Sequence, residues 1–330
     1  MLQSINSNKK RTMMNSAING IHHITAVSGP PQANYEFYRN ILGLRFIKKT
    51  INFDDPFTYH LYYGNHRATP GSAITFFPWQ HVVEGSPGHG ETTVVQYTIP
   101  AGTTEWWKEH LRKEGIETAG QNERFGFPHL RFRDNDGMML ELTEDPDDRL
   151  PQTKGYGRVD DGHAIRGFFG ATLSLSDTGR TAELLNEMGW KRNGEENGHE
   201  RYESNPENGL GKFVDLKSEP ERHGRFGKGS VHHIAFRVPD DEAQAAWREK
   251  IRKMGFDVTP VQNRDYFRSI YFREHGGVLF EIATDIPGFD VDEPFDELGS
   301  ALKLPSWYEK HREEIEARLP ELHTKEELNG

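Results

Sequence analysis

The chain has 330 residues, a formal net charge of −11 and no cysteine. The length allows two ordinary domains with a substantial core, and the absence of cysteine excludes disulfides, thiolate metal sites and cysteine nucleophiles. The acidic charge disfavours nucleic acid and anionic membranes as partners, and no apolar run is long enough for a membrane-spanning helix. We therefore expect a soluble, cytoplasmic protein.

Residues 1–18 are predicted to form a flexible N-terminal tail. They include three basic residues at positions 9–11, but they have neither the apolar segment nor the cleavage site of a secretory signal. The patterned part of the sequence starts immediately after this tail.

From residue 20 onward, one arrangement occurs four times: a strand, a helix that ends at a glycine followed by a large apolar residue, and then further strands. The first strands of these modules 1 to 4 are predicted at residues 20–28, 92–99, 167–176 and 230–239. The glycines that end the helices are Gly43, Gly115, Gly189 and Gly255. Glycine directly after the last helical turn is the usual left-handed cap, so the repeat predicts four βαβββ modules.

Four such modules predict an α+β fold with two domains, one at residues 19–150 with modules 1 and 2, and one at 160–286 with modules 3 and 4. The linker between them is predicted in the Pro- and Gly-containing stretch 145–161. Residues 287–330 form an acidic C-terminal extension with a predicted helix over 307–319. This helix could cover a sheet edge, a site entrance or a dimer contact, and the sequence leaves these three open.

Each module ends in a strand that follows a glycine turn, and aligning the modules on these strands gives two informative positions. In the first strands, the aligned residues are His23, Val94, Gly170 and His233. In the last strands, they are Thr75, Glu141, Asp215 and Glu281. Strand alternation puts His23, His233 and Glu281 opposite the apolar face that packs on the helices, and therefore on the concave side of a sheet.

The pairing of the modules decides whether these three residues meet. Pairing module 1 with 2 and module 3 with 4 separates His23 from His233, and neither site then has three good ligands. Pairing module 1 with 4 gathers His23, His233 and Glu281 in one cavity and leaves modules 2 and 3 without histidine. One complete and one degenerate site is the simpler arrangement, and we predict it.

Non-haem Fe(II) enzymes that activate O2 bind the metal through two neutral imidazoles and one carboxylate, which leaves three neighbouring coordination positions open. Zn(II) or Mn(II) can bind to the same three ligands. A single buried histidine is more often a hydrogen-bonded core residue, but the carboxylate of Glu281 is costly to bury unless it is paired or bound to a metal. Strand parity favours His23 and His233 over the adjacent His22 and His232 as ligands. For Glu141, which has no histidine beside it, we predict a structural or vestigial role.

The pattern resembles the vicinal oxygen chelate superfamily, which includes glyoxalases, bleomycin-resistance proteins and extradiol dioxygenases. More closely, it resembles the two-domain ring-cleaving dioxygenases that open hydroquinones. The matching segments are 20–25, 56–64, 230–236 and 280–281. The resemblance implies curved mixed sheets, His23, His233 and Glu281 as ligands of Fe(II), and a small aromatic diol and O2 as substrates.

The resemblance also implies roles for five residues around the metal. His22, Thr25 and His232 would lie beside the ligands, where the two histidines orient them or relay a proton. Arg264 would balance a phenolate or a ring-opened carboxylate, and Tyr271 would donate a hydrogen bond to the substrate. Aromatic residues that could wall the pocket, or be plain core, are Phe57, Tyr59, Tyr62, Phe76 and Trp79.

Three alternatives to a hydroquinone dioxygenase stay open: a catechol-type extradiol dioxygenase, a glyoxalase-like metal-dependent isomerase or lyase, and a non-catalytic protein that binds an aromatic toxin. Thr75 argues against the isomerase, because glyoxalase I-like sites have a second glutamate at this position. The complete triad beside Arg264 and Tyr271 argues against the binding protein. The ring substituents and the oligomeric state, with a homo-oligomer among the possibilities, are not determined by the sequence.

Overall fold

The computed structural model describes residues 18–79 and 81–324 of the chain. Ile18, the one residue of the predicted N-terminal tail within this range, is buried, and its backbone N–H donates to the carbonyl of Met188 at 3.1 Å. The rest of that predicted tail lies outside the described residues. None of the helices in the described part has the length and apolar character needed to cross a membrane.

Modules 1 and 2 occupy the first half of the chain. The elements of module 1 are β1 (Ile21–Ser28), α1 (Pro31–Tyr35, continued as a π-helix over Glu36–Ile41), β2 (Arg45–Asn52), β3 (Asp55–Gly64) and β4 (Ala73–Pro78). The elements of module 2 are β5 (Glu91–Ile99), α2 (Thr104–Lys113), β6 (Thr118–Arg124), β7 (Phe127–Arg133) and β8 (Met139–Glu144). Both helices end before their predicted glycines, and Gly43 and Gly115 adopt φ angles of 68° and 75°, the left-handed conformation that glycine tolerates best.

Modules 3 and 4 repeat this order in the second half. The elements of module 3 are β9 (Gly167–Leu175), α3 (Gly179–Glu187), β10 (Lys191–Glu196), β11 (His199–Glu203) and β12 (Phe213–Ser218). The elements of module 4 are β13 (Val231–Val238), α4 (Asp241–Lys253), β14 (Gln262–Asn263), β15 (Phe267–Arg273) and β16 (Leu279–Pro287). The α+β class and the four-module architecture predicted from the sequence are confirmed.

The strands form two mixed eight-stranded sheets. One has the order β14-β15-β16-β13-β1-β4-β3-β2 and joins module 4 to module 1, and the other has the order β10-β11-β12-β9-β5-β8-β7-β6 and joins module 3 to module 2. The modules meet through the antiparallel pairs β1–β13 and β5–β9. The predicted pairing of module 1 with module 4 is therefore confirmed, and each half of the sequence contributes one module to each sheet.

Turns between the last two strands of modules 2 and 4 connect the two sheets. Asp134, after β7, accepts a hydrogen bond from the hydroxyl of Tyr38 in α1 at 2.8 Å. Glu274, after β15, accepts one from the hydroxyl of Thr181 in α3 at 2.6 Å. Both carboxylates also accept backbone N–H groups of their own turns. Neighbouring modules in the sequence are thus tied across the sheets, although they do not share one.

The C-terminal extension covers the edge of the module 1–4 sheet. Its Leu302 forms a bridge to Lys49 of the edge strand β2, and the ammonium of Lys48 lies 2.6 Å from Asp292 and 2.5 Å from Glu293. This protects an edge strand that could otherwise pair with another chain.

The predicted helix over 307–319 is wrong at its start: a 3₁₀ turn at Glu309–His311 leads into α5 (Arg312–Arg318). Trp307 packs edge-on against Phe53, and the hydroxyl of Tyr308 donates to the carbonyl of Phe53 at 3.3 Å. These contacts with the β2–β3 hairpin hold both residues in the turn that precedes the helix.

Candidate active site

His23 on β1, His233 on β13 and Glu281 on β16 meet on the concave side of the module 1–4 sheet. The Nε2 atom of His23 lies 3.3 Å from Nε2 of His233 and 3.3 Å from Oε2 of Glu281, and Nε2 of His233 lies 2.9 Å from the same oxygen. All three side chains are buried. The three strands are neighbours in the sheet, so residues 210 positions apart in sequence come together through strand pairing.

The spacing of these three atoms fits ligands of a single metal ion. Ligands held at right angles and about 2.1 Å from an ion lie about 3.0 Å from one another, close to the observed separations. Among the described residues, only the two histidine nitrogens lie close to Oε2 of Glu281, while its Oε1 accepts a hydrogen bond from the hydroxyl of Ser269. A fully buried carboxylate oxygen that faces only two imidazole nitrogens is costly unless a cation satisfies it.

Two further histidines determine which ring nitrogens can bind a metal. Nδ1 of His22 lies 2.9 Å from Nδ1 of His23, and Nδ1 of His232 lies 2.8 Å from Nδ1 of His233. A ring nitrogen that binds a metal carries no proton, so ligation through Nε2 would place the proton of His23 and of His233 on Nδ1. Nδ1 of the adjacent His22 and His232 lies within reach to accept that proton in a hydrogen bond.

Burial sets the protonation states of these groups. It is the main cause that lowers the pKa of His22 well below the usual range, and of His232 to about 3, and each adjacent histidine adds to the effect. Burial also lowers the pKa of His233. For Glu281, burial raises the pKa, but the nearby His23 and His233 outweigh it and hold the pKa well below its usual range. Neutral imidazoles and an ionised carboxylate are the forms that bind metals.

Thr75, at the position aligned with Glu281, is engaged in a hydrogen-bonded chain. Its hydroxyl lies 2.8 Å from that of Thr25 and 2.7 Å from Nε2 of His60, and Nδ1 of His60 lies 2.9 Å from the hydroxyl of Tyr62. Burial is the main cause that lowers the pKa of His60. The sequence interpretation missed His60, although strand alternation in the segment 56–64 places it on the same face as Tyr62.

His23 and His233 line a cavity of about 450 Å³ between modules 1 and 4, within the range of about 300–1,000 Å³ typical of small-molecule sites. Arg264 and Tyr271 both line it, and Nε of Arg264 donates to the hydroxyl of Tyr271 at 3.3 Å. The Tyr271 ring meets His233 edge-on, with 5.6 Å between centroids. Burial raises the pKa of Tyr271, as does the charge of Glu281, so Tyr271 is a neutral hydrogen-bond donor.

The aromatic wall of the cavity only partly matches the prediction. Tyr62 and Trp79 line it, as do Phe77 and Phe267, which were not predicted. The other candidates are elsewhere: Tyr59 and Phe76 are buried in the core, and Phe57 lies under the guanidinium of Arg318. Polar residues of the β2–β3 hairpin and of the segment before β15 also line the cavity without having been predicted; they are Asn52, Asp54, Asp55, Thr259 and Gln262.

The equivalent position in the module 2–3 sheet is filled by an ion network. Nη2 of Arg124 lies 2.7 Å from Glu141, and its Nε lies 3.4 Å from Asp215. Arg201 donates to both oxygens of Asp215 at 2.7 and 2.9 Å. Burial raises the pKa of Glu141, but Arg124 and Arg131 outweigh it and lower the pKa to about 2. Glu141 thus faces guanidinium groups, whereas Glu281 faces two histidines, and the structural or vestigial role of Glu141 stays a prediction.

Comparison with known proteins places these features in one family. The sequence model described as "Glyoxalase/Bleomycin resistance protein/Dioxygenase superfamily" matches residues 20–142 and 158–282. The Bacillus subtilis protein named "Putative ring-cleaving dioxygenase MhqO" is 47% identical over 301 residues, which cover 91% of this chain and 95% of that protein. The "Chlorohydroquinone/hydroquinone 1,2-dioxygenase" of Sphingobium indicum is 35% identical over 306 residues, which cover 90% and 95% of the two chains.

Solved structures show the same architecture. The crystal structure of a "putative dioxygenase" from Bacillus subtilis matches with a TM-score of 0.89 and 45% identity, and the match covers 93% of this chain and 98% of that one. Glyoxalase I from Zea mays matches with a TM-score of 0.59 and 12% identity over 81% of this chain and 92% of that one. The likeness to the maize protein shows a shared fold alone.

Proposed function

Because the chain belongs to the Glyoxalase/Bleomycin resistance protein/Dioxygenase superfamily, we propose that it is an Fe(II)-dependent dioxygenase that opens a hydroquinone-type aromatic ring with O2. The observation that carries the proposal is the convergence of His23, His233 and Glu281 on one buried point beside a cavity that contains Arg264 and Tyr271. Relatives named as ring-cleaving dioxygenases support this reaction class over an isomerase or a binding protein.

His23, His233 and Glu281 would hold the metal, and Fe(II) is the ion that this ligand set favours when open positions serve O2 chemistry. When bound, the ion supplies a Lewis acid that acidifies a substrate hydroxyl and a redox-active site for O2. Thr75 leaves these positions open, because its hydroxyl is already shared between Thr25 and His60.

Arg264 and Tyr271 act on the substrate in this proposal. The guanidinium of Arg264 is mostly buried, and its positive charge stabilises the phenolate form of a bound diol. Tyr271 stays protonated because burial raises its pKa, so its O–H donates to an oxygen that gains negative charge during the reaction. The hydrogen bond between the two residues fixes their relative orientation.

His22 and His232 act through the ligands. By accepting the Nδ1–H of His23, His22 keeps the Nε2 lone pair of that ligand directed at the metal position. His232 accepts the Nδ1–H of His233 in the same way, which leaves its own Nε2–H as a donor toward the cavity that it lines. The aromatic side chains of Phe77, Trp79 and Phe267 reduce the access of water to the ring.

Oxygen uptake by protein loaded anaerobically with Fe(II) tests the proposal. Hydroquinone, methylhydroquinone and catechol are offered separately, and one O2 per para-diol with a ring-opened product is expected. His23→Ala and His233→Ala variants should lose turnover. Uptake with catechol alone would favour the catechol-type alternative, and the absence of uptake with any diol despite bound Fe(II) would overturn the proposal.

A further inference from the structure

The outer edge of the Arg264 guanidinium is occupied by a carboxylate. Nη1 and Nη2 of Arg264 each lie 3.3 Å from Oδ2 of Asp54, and Nη2 also donates to the side-chain carbonyl of Gln262 at 2.5 Å. Only the Nε side of Arg264 is directed at Tyr271. Asp54 is 76% exposed and Arg264 is 19% exposed, so the pair lies at the boundary between the cavity and the solvent.

The charges around the cavity mouth are unequal. Among the described residues that line the cavity, Asp54 and Asp55 carry carboxylates, and Arg264 carries the one guanidinium or ammonium group. Asp55 accepts a hydrogen bond from the hydroxyl of Thr58 at 2.6 Å, which leaves its charge uncompensated. At the mouth, an approaching molecule therefore meets two carboxylates around one guanidinium group.

The hairpin that carries Asp54 is fixed in place. The side-chain carbonyl of Asn52 accepts the backbone N–H of Asp54 at 3.0 Å. Trp307 and Tyr308 of the C-terminal extension hold the intervening Phe53 through a ring contact and a hydrogen bond. The backbone of Asp54 is thus held at the mouth by two elements, although its side chain is exposed.

We propose that Asp54 is a specificity-determining residue that makes the cavity select para-diols with uncharged ring substituents and reject those with a ring carboxylate. The proposal rests on the proposed function, because it refines the substrate class of the same site. A free arginine at a cavity mouth would attract a carboxylate through two parallel hydrogen bonds. Here a substrate carboxylate would have to displace Asp54 from Arg264 or lie beside it. Repulsion between the two carboxylates would then weaken binding of that substrate, and such repulsion is a common means of rejecting a ligand.

Two para-diols that differ in charge test this inference. The ratio of kcat/KM for methylhydroquinone to that for 2,5-dihydroxybenzoate is measured for the wild type and for Asp54→Asn. We expect a ratio well above one in the wild type and a fall of about tenfold in the variant, because one repulsive charge is removed. Raising the salt concentration from about 0.05 M to about 0.5 M should reduce the wild-type ratio by screening and affect the variant less.

Asp241→Asn is the matched control. Asp241 is also an exposed aspartate beside an arginine, 3.6 Å from Nε of Arg268, but it does not line the cavity. This variant should keep the wild-type ratio. An unchanged ratio in Asp54→Asn, or a wild type that prefers 2,5-dihydroxybenzoate, would overturn the inference.

Calorimetric binding of the same two diols in the absence of O2 separates the two proposals. Suppose that no diol is turned over, but that the wild type binds methylhydroquinone more tightly than 2,5-dihydroxybenzoate and Asp54→Asn narrows this difference in affinity. The selection against a ring carboxylate by Asp54 then holds, and only the proposed ring-opening reaction fails. If methylhydroquinone is turned over but Asp54→Asn changes neither the ratio of kcat/KM values nor the ratio of affinities for the two diols, the proposed reaction holds. The selection by Asp54 then fails.

Discussion

Glu141 and Glu281 show how neighbours decide what a buried carboxylate does. Both lie in the last strand of a module, both are fully buried, and each lies beside the first strand of its module. Glu281 faces two histidines, whereas Glu141 faces Arg124 and Arg131. The first arrangement leaves an oxygen for a metal, and the second neutralises the carboxylate within the protein.

We predict that Glu281→Gln abolishes high-affinity metal binding while the protein stays folded. The neutral amide removes the ligand charge, and a loss of at least about 100-fold in Fe(II) affinity is expected. Anaerobic titration with Fe(II), together with metal analysis of the purified variant, measures this. Retention of wild-type affinity would exclude Glu281 as a ligand.

Glu141→Gln is the control with the opposite outcome. Loss of its charge leaves Arg124 with Asp215 as its buried carboxylate and removes the ion pair between Arg131 and Glu141, so the free energy of unfolding should fall by about 3 kcal/mol, as measured by urea denaturation. Fe(II) affinity should stay at the wild-type value, because Glu141 belongs to the other sheet.

At the scale of elements, the C-terminal extension is anchored through one buried lysine. The Lys48 side chain is 0% exposed and lies within salt-bridge distance of Asp292 and of Glu293, which is 3% exposed. The Nζ atom also lies 4.7 Å from the centroid of Tyr266. This cluster joins the edge strand β2 to the start of the extension.

We expect Lys48→Met to lower the free energy of unfolding by about 3 kcal/mol, because Glu293 would keep a buried charge without its partner. Hydrogen exchange should also show faster exchange in residues 292–324. Lys108→Met is the control: its ion pair with Glu105 is exposed, so a change below about 0.5 kcal/mol is expected. Equal effects of the two substitutions would contradict the anchoring role.

Asp134, in the turn after β7, should make the free energy of unfolding depend on pH. Burial raises the pKa of Asp134 from 3.8 to about 6. Because the folded-state pKa exceeds the unfolded one, the stabilising contribution is present below about pH 4 and is lost as the pH rises through about 6, at a cost of about 3 kcal/mol.

Asp134→Asn should remove this pH dependence, since an amide can accept the N–H groups of the turn without a charge. Urea denaturation of both proteins between pH 4 and pH 7 measures the difference. The variant should gain stability relative to the wild type as the pH rises, and parallel curves for the two proteins would contradict the raised pKa.

At the scale of the whole molecule, the fold depends on pairing between the two halves of the chain. β1 pairs with β13, and β5 pairs with β9, so each half alone lacks the central partner strand of both sheets. We predict that fragments 1–150 and 151–330 each fail to unfold cooperatively as monomers, whereas an equimolar mixture does so. Circular dichroism with sedimentation measures this. A cooperatively folded monomer of either fragment would contradict the prediction.

Sequence patterns alone sufficed to predict the four modules, the glycine-capped ends of their helices and the convergence of His23, His233 and Glu281. These depend on local periodicity, glycine caps and strand parity, which repeat visibly along the chain. The roles of these three residues as metal ligands, and of Arg264 and Tyr271 toward a substrate, stay predictions for the experiments above.

Only the tertiary structure placed His60, Asp54 and the C-terminal contacts at the site, and only it filled the second site with Arg124 and Arg201. The reason is that the contacts of β3, of the β2–β3 hairpin and of residues 307–308 do not recur from module to module, so the repeat in the sequence does not predict them. Their positions follow from strand register and packing between segments up to 255 residues apart, which local patterns do not encode.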